Sequence, residues 1–253
     1  MPFLQRIQTP VVSCNIDASL EPEFNYLFRK SIILERQGRK IGIVGVTTTF
    51  PSDWGKAKVL PEVENVRKEV ENLVQQGIKI IIVLSHSGLD VDREIAKHAG
   101  PVDIIVGGHS HSFLYSGTPV VGPDTPVAEY PTIETQQNGR KVLIVQASAF
   151  TKYLGNIRLY FDENGEISRY EGAPIFLSHD IPQDPFILEE LKPWKYEIDL
   201  VQKRVIGSIK HEYDSYCYRR ECGMGNLAAD SMAYAVRIST TSIDTFSNQN
   251  FLF

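Results

Sequence analysis

Apolar residues along this chain change their spacing several times, and each change marks an element. Val63, Val66, Val70, Leu73 and Val74 recur at intervals of three and four, which is the spacing of one helical face. Pro61 suits the first turn of that helix and Gly77 its C′ position. An amphipathic helix packing on a sheet accounts for the whole segment. Lys79-Ile80-Ile81-Ile82-Val83-Leu84 follows as a continuous β-branched run, which predicts a central strand buried on both faces. A short helix over Asp90 to His98 and a second buried strand over Val102 to Val106 come next. This alternation predicts a largely parallel sheet with right-handed crossovers.

On either side the pattern is shorter in period. Pro10 to Ile16 reads as a buried strand, and Ser31 to Glu35 with Lys40 to Thr47 as two strands joined at Gln37-Gly38-Arg39. Val142 to Gln146, Leu154 to Phe161 and Glu166 to Tyr170 read as short strands. Asp162-Glu163-Asn164-Gly165 is a hairpin signal between the last two. The later part of the sheet is therefore expected to be antiparallel, giving an α/β sandwich of mixed sheets. A polar helix over Asp184 to Lys203 has the character of a linker or lid. A further short helix is expected over Gly225 to Val236, and little order from Ser239 onward, where no period survives.

Composition sets the scale. With 253 residues and 42% hydrophobic content, the chain is long enough for one large domain, or one domain and part of another. A net charge of −5 argues against electrostatic binding of nucleic acid. No apolar run reaches the roughly 18 to 20 residues of a membrane span, and residues 1–5 do not read as a signal peptide. Of the three cysteines, Cys217 and Cys222 are close enough for a local disulfide, with two reduced thiols as the alternative. A disulfide would imply an oxidising compartment. The lack of a leader conflicts with that, and is the first hint of a longer parent protein.

Two motifs stand out by position. Leu84-Ser85-His86-Ser87-Gly88 comes after the first buried strand, and Gly107-Gly108-His109-Ser110-His111 after the second. Ligands of open α/β sheets gather outside the carboxyl ends of strands, so these histidines are expected on neighbouring loops at one edge. Neutral imidazole is the commonest metal ligand. A lone histidine is usually structural or solvated, and His98, His179 and His211 read that way. Three at successive strand ends favour a metal, although a mononuclear site would look much the same.

These two motifs resemble the later metal motifs of the calcineurin-like phosphoesterases, and Gly139-Arg140-Lys141-Val142, Val145-Gln146-Ala147, Lys152-Tyr153-Leu154-Gly155, Ile181-Pro182-Gln183-Asp184-Pro185 and Cys217 through Asn226 add to the likeness at the level of one family. More narrowly, they resemble the ecto-5′-nucleotidase and salivary apyrase family, from about Pro10 to about Ala235. The resemblance implies a metallophosphoesterase domain over 1–181, a linker helix over 182–204, and the beginning of a C-terminal domain over 205–253. It implies a divalent metal cofactor, two zinc ions in the full-length parent, bridging a water that attacks a nucleotide phosphorus. His86, His109 and His111 would be metal ligands, the last at a position where some members carry an amide. The substrate would be a nucleotide of the AMP, ADP or ATP class, and the parent extracellular or on the cell surface.

The departures carry as much information. The family's N-terminal motifs, Asp-x-His, Gly-Asp and Gly-Asn-His-Glu with its catalytic histidine, do not occur here, nor does the C-terminal Asn-Gly-Gly-x-x-Arg segment. Met1 is therefore expected to be an internal position of a longer protein. Relatives often have arginine after the first cysteine where this chain has Tyr218, leaving Arg219 or Arg220 as candidate phosphate contacts. Asp90 and Asp103 lie near the motifs in sequence, the first in a helix and the second at the far end of its strand. The isolated chain is expected not to turn over nucleotides. The competing expectation is a non-catalytic protein that keeps the fold and binds a nucleotide or a partner.

Overall fold

The computed structural model describes residues 2–49, 55–205, 207–215, 217 and 220–244. They form two compact units, Met1–Pro182 and Gln183–Phe253. The first unit opens with α1 (Pro2–Arg6), β1 (Ile16–Asp17), α2 (Pro22–Asn25), β2 (Ser31–Arg36) and β3 (Arg39–Thr47). Next come β4 (Lys58–Val59), α3 (Glu62–Gln75), β5 (Ile80–His86), α4 (Leu89–His98) and β6 (Ile104–Val106). It continues through β7 (Thr132–Thr135), β8 (Lys141–Val145), β9 (Tyr153–Leu154), β10 (Arg158–Phe161), β11 (Ile167–Glu171) and β12 (Ile175–Phe176).

Six strands form the central sheet in the order β2-β3-β5-β6-β8-β7. The inner four run parallel, and β2 and β7 close the two edges antiparallel. Side chains alternate across it with period two. Val44, Val46, Ile81, Val83, Ile105, Val142 and Ile144 point to one face, where they pack with Val66, Val70 and Leu73 of α3 and Ile95 of α4. Ile104, Leu143 and Val145 point to the other, beneath Ile157, Leu159 and Ile167 around the β10–β11 hairpin. The sandwich is therefore α/β on one side and β on the other.

Several expectations need correction. Residues 10–16 do not form a strand of the sheet. They make an extended edge segment, in which Ser13 N–H donates to Arg29 O and Cys14 N–H to Gly45 O, both at 2.7 Å. Leu84 and Val106 are 42% and 41% exposed, so β5 and β6 are not buried on both faces to their ends. Val74 is exposed too, which leaves Val66, Val70 and Leu73 as the buried stripe of α3. The later strands are not all antiparallel, because β8 joins the sheet parallel to β6. The polar pattern of Thr132–Thr135 concealed β7, whose pairing with β8 rests on backbone hydrogen bonds.

The second unit holds α5 (Pro185–Gln202) and α6 (Gly223–Asp244). Asp184 caps α5 by accepting from the N–H groups of Phe186 and Ile187 at 2.8 and 3.2 Å, with Pro185 at the first helical position. α6 runs beyond the expected Gly225 to Val236 in both directions, and is helical through Asp244 where little order was expected; residues 245–253 lie outside the described ones. Cys217 and Cys222 are joined as a disulfide with 5.1 Å between Cα atoms, and Cys14 is a buried free thiol. Burial pushes the Cys14 thiol up to about 12. Iodoacetamide should therefore leave Cys14 unmodified in the native protein, and unfolding without reductant should expose one alkylatable thiol. Mass mapping that finds two or three would contradict this pairing.

Candidate metal centre

The parallel strands end together. Thr47 of β3 pairs with His86 of β5, Leu84 with Val106 of β6, and Val106 with Val145 of β8. His86, the loop from Gly107 and Gln146 therefore share one sheet edge. His86 is the last residue of β5 and not part of the loop after it. Its ring lies 5.2 Å from that of His109 between centroids, at 67°. Burial first, and then the neighbouring His109 and His111, hold the His86 imidazole below its ordinary pKa. That direction favours the neutral form, the one that ligates metals.

The loop between β6 and the following segment is unusual in its backbone. His109 and His111 both have positive φ, 70° and 53°, a region that few non-glycine residues enter. The His111 ring packs edge-on against Phe150 at 5.3 Å. Gly107, at the start of the loop, passes very close to Asp92 of α4: a Cβ there would lie 2.3 Å from Asp92 Oδ2. Asp92 is fully buried, and burial pushes its carboxyl up to about 6, partly offset by the hydrogen bond from Ser85. Ser85 Oγ donates to Oδ1 at 2.5 Å, and Oδ2 is among the buried polar atoms without a hydrogen-bond partner.

The fit to a metal ion is partial. Two imidazoles sharing a tetrahedral ion at about 2.0–2.1 Å stand about 5 Å apart between ring centres, and the His86–His109 spacing matches. Edge-to-face ring packing covers the same range, so the distance permits a shared ion without requiring one. Among the described residues, no group of three or more His, Cys, Asp or Glu side chains is arranged to hold an ion. Among the described residues, the pair by itself does not make a complete ligand set.

The remaining candidates separate cleanly. His98 sits beside Glu94 on α4, 56% exposed, and His179 and His211 are exposed. Asp90 is exposed on α4, whereas Asp103 is buried at the opposite end of the sheet, paired with Arg140. Arg219 and Tyr218 lie outside the described residues; Arg220, in the second unit, is 3.7 Å from Asp214. Sequence reading gave no role to Asp92 or Gln146. Asp92 carried a legible signal, since it falls with Ile95 and Ala96 on the buried face of α4 at helical spacing.

No protein-family model matches the chain. It is 44% identical over 252 residues to an apyrase of Tabanus yao, covering 95% of this chain and 45% of that protein. It is 39% identical to a 5′-nucleotidase of Diplobatis ommata, over 91% of this chain and 41% of the other. Among solved structures it is similar to a 5′-nucleotidase precursor of Thermus thermophilus, with a TM-score of 0.85 and 31% identity, covering 94% of this chain and 48% of that one. The chain thus spans somewhat under half the length of the curated relatives it matches. Within the described residues, no helix is long and apolar enough to cross a membrane.

Proposed function

Because the chain belongs to the 5′-nucleotidase and apyrase family, we propose that it is part of a metal-dependent nucleotide phosphohydrolase. His86 and His109 would hold a divalent ion, zinc in this reading, with His111 as a further ligand. When bound, such an ion polarises a phosphoryl oxygen and lowers the pKa of coordinated water. The observation that supports this best is the approach of His86 and His109 to 5.2 Å at the carboxyl ends of parallel strands. Gly107 and Gly108 leave the loop without side chains where it meets Asp92 and His86, which suits a close approach by phosphate. The substrate would be a nucleotide of the AMP, ADP or ATP class; the 5′-nucleotidase relatives support a nucleotide substrate.

The wider organisation follows the same reading: a metal-binding domain over 1–181, a linker helix over 182–204, and the start of a second domain over 205–253. An extracellular or cell-surface setting is supported by the Cys217–Cys222 disulfide. Among the described residues too few donors stand together for two ions, so the chain by itself should bind zinc weakly and release no phosphate from AMP or ADP. Zinc competition and phosphate release, each with His86→Ala and His109→Ala, test this. Zinc affinity should fall at least about 10-fold in both variants. Zinc binding indifferent to both substitutions would remove the ligand assignment. Turnover abolished by both would show that further ligands complete the site. The incomplete donor set also leaves room for non-catalytic nucleotide binding, which would persist in both variants.

A further inference from the structure

We propose that Gln146 is a positioning residue that clamps the histidine loop, holding His109 and His111 in left-handed backbone conformations beside His86. As a statement about a metal site it rests on the ligand reading above; as a statement about the loop it stands alone. Among the described residues, six non-glycine positions have positive φ, and five of them are His109, His111, Ser148, Phe150 and Thr151. All five lie in the two loops that follow β6 and β8. Such conformations persist only where the surroundings impose them, and they gather at functional sites.

Gln146 supplies the imposition. It is 3% exposed, one residue beyond β8. Its Oε1 accepts from Ser112 N–H at 2.5 Å and from Ser110 Oγ at 3.2 Å, and its Nε2 donates to Gly108 O at 3.2 Å. A backbone N–H only donates and a carbonyl only accepts, so the amide has one orientation here. The two backbone anchors, Gly108 and Ser112, bracket the three residues between them, two of which are the histidines. Ser110 Oγ also accepts from Leu89 N–H at 3.1 Å, tying the loop to the helix that follows His86. Ser148 N–H donates to Ser112 O at 2.9 Å, so the second strained loop is held to the first. An apolar side chain could fill the same volume. Only a carboxamide makes all three bonds.

The test uses the full chain. NMR couplings and carbonyl shifts should show left-handed φ at His109 and His111 in the wild type. Gln146→Leu removes all three bonds; the milder Gln146→Glu keeps the acceptor and sets an oxygen against Gly108 O. Both variants should lose the left-handed signature at the two histidines and weaken zinc binding about 10- to 100-fold. Ile144→Val, in β8 itself but with its side chain in the core under α3 and α4, should lower thermal stability and change neither readout. Gln146 variants that keep the signature at both histidines would overturn the clamp, whatever their stability. His86→Ala should weaken zinc binding at least about 10-fold and leave the signature intact. Loss of the signature with zinc binding insensitive to His86→Ala would leave the clamp standing and remove the ligand reading.

Discussion

Gly45→Ala is expected to destabilise the first unit by at least about 3 kcal/mol, beyond the usual range for an added methyl group. A Cβ at this position would lie 2.0 Å from Val12 O and 2.3 Å from Val12 C. Both are backbone atoms, so no rotamer change relieves the overlap. The segment carrying Val12 must move, and it is held by backbone bonds from Ser13 to Arg29 and from Cys14 to Gly45. Asn15 moves with it. This buried side chain donates to Thr47 O and Leu60 O at 2.7 and 2.9 Å and accepts from Thr47 N–H at 3.0 Å. Urea denaturation measures the loss, and alkylation of Cys14 in the folded variant reports where it occurs. An unchanged midpoint with Cys14 still protected would contradict the packing described.

Arg140→Ala should cost about 3 kcal/mol at neutral pH, the scale of breaking a buried ion pair from one side. Arg140 Nη2 donates to Asp103 Oδ1 at 2.7 Å, and Nη1 contacts Glu166. Asp103 is 1% exposed and also accepts from Ile81 N–H at 2.7 Å. Burial pushes its carboxyl up to about 6, with Arg140 and the Ile81 N–H acting in the opposite direction. A raised folded pKa means that Asp103 contributes most below its unfolded value of about 4. That contribution is lost as pH rises through about 6. Removing Arg140 raises the carboxyl further, so the variant's deficit should be largest above about pH 7 and smaller at about pH 5. Equal deficits at both pH values would sink the assignment.

What the sequence made legible follows from period and position. α3 announces itself through helical spacing, and β5 through its β-branched run. The order of strand, loop and histidine places His86 and His109 at one edge. What stayed hidden depends on contacts between distant segments. β7 has no apolar signature, because backbone pairing with β8 defines it. Cys14 looked like part of a strand, yet its segment is positioned by the space that Gly45 leaves. Gln146 was visible as part of a family-like motif without a task, since its three partners lie 34 to 38 residues earlier. No local pattern gives the left-handed φ of His109 and His111, because β6, β8 and Gln146 impose it together.

The Asp103–Arg140 pair sits at the opposite end of the strands that carry the histidines. Asp103 joins β5 through Ile81 and the residue before β8 through Arg140, while its own backbone carbonyl accepts from Leu143 N–H of β8 at 3.0 Å. In a sheet, a slip of one residue moves a side chain by about 3.3 Å and turns it to the other face. A displacement of that size would be large against the 5.2 Å between the His86 and His109 rings. The ion pair thus acts as a datum point. The spacing of the histidines at one end of the sheet is gauged from a lock at the other, about 17 Å away along β5, the rise from Ile81 to His86.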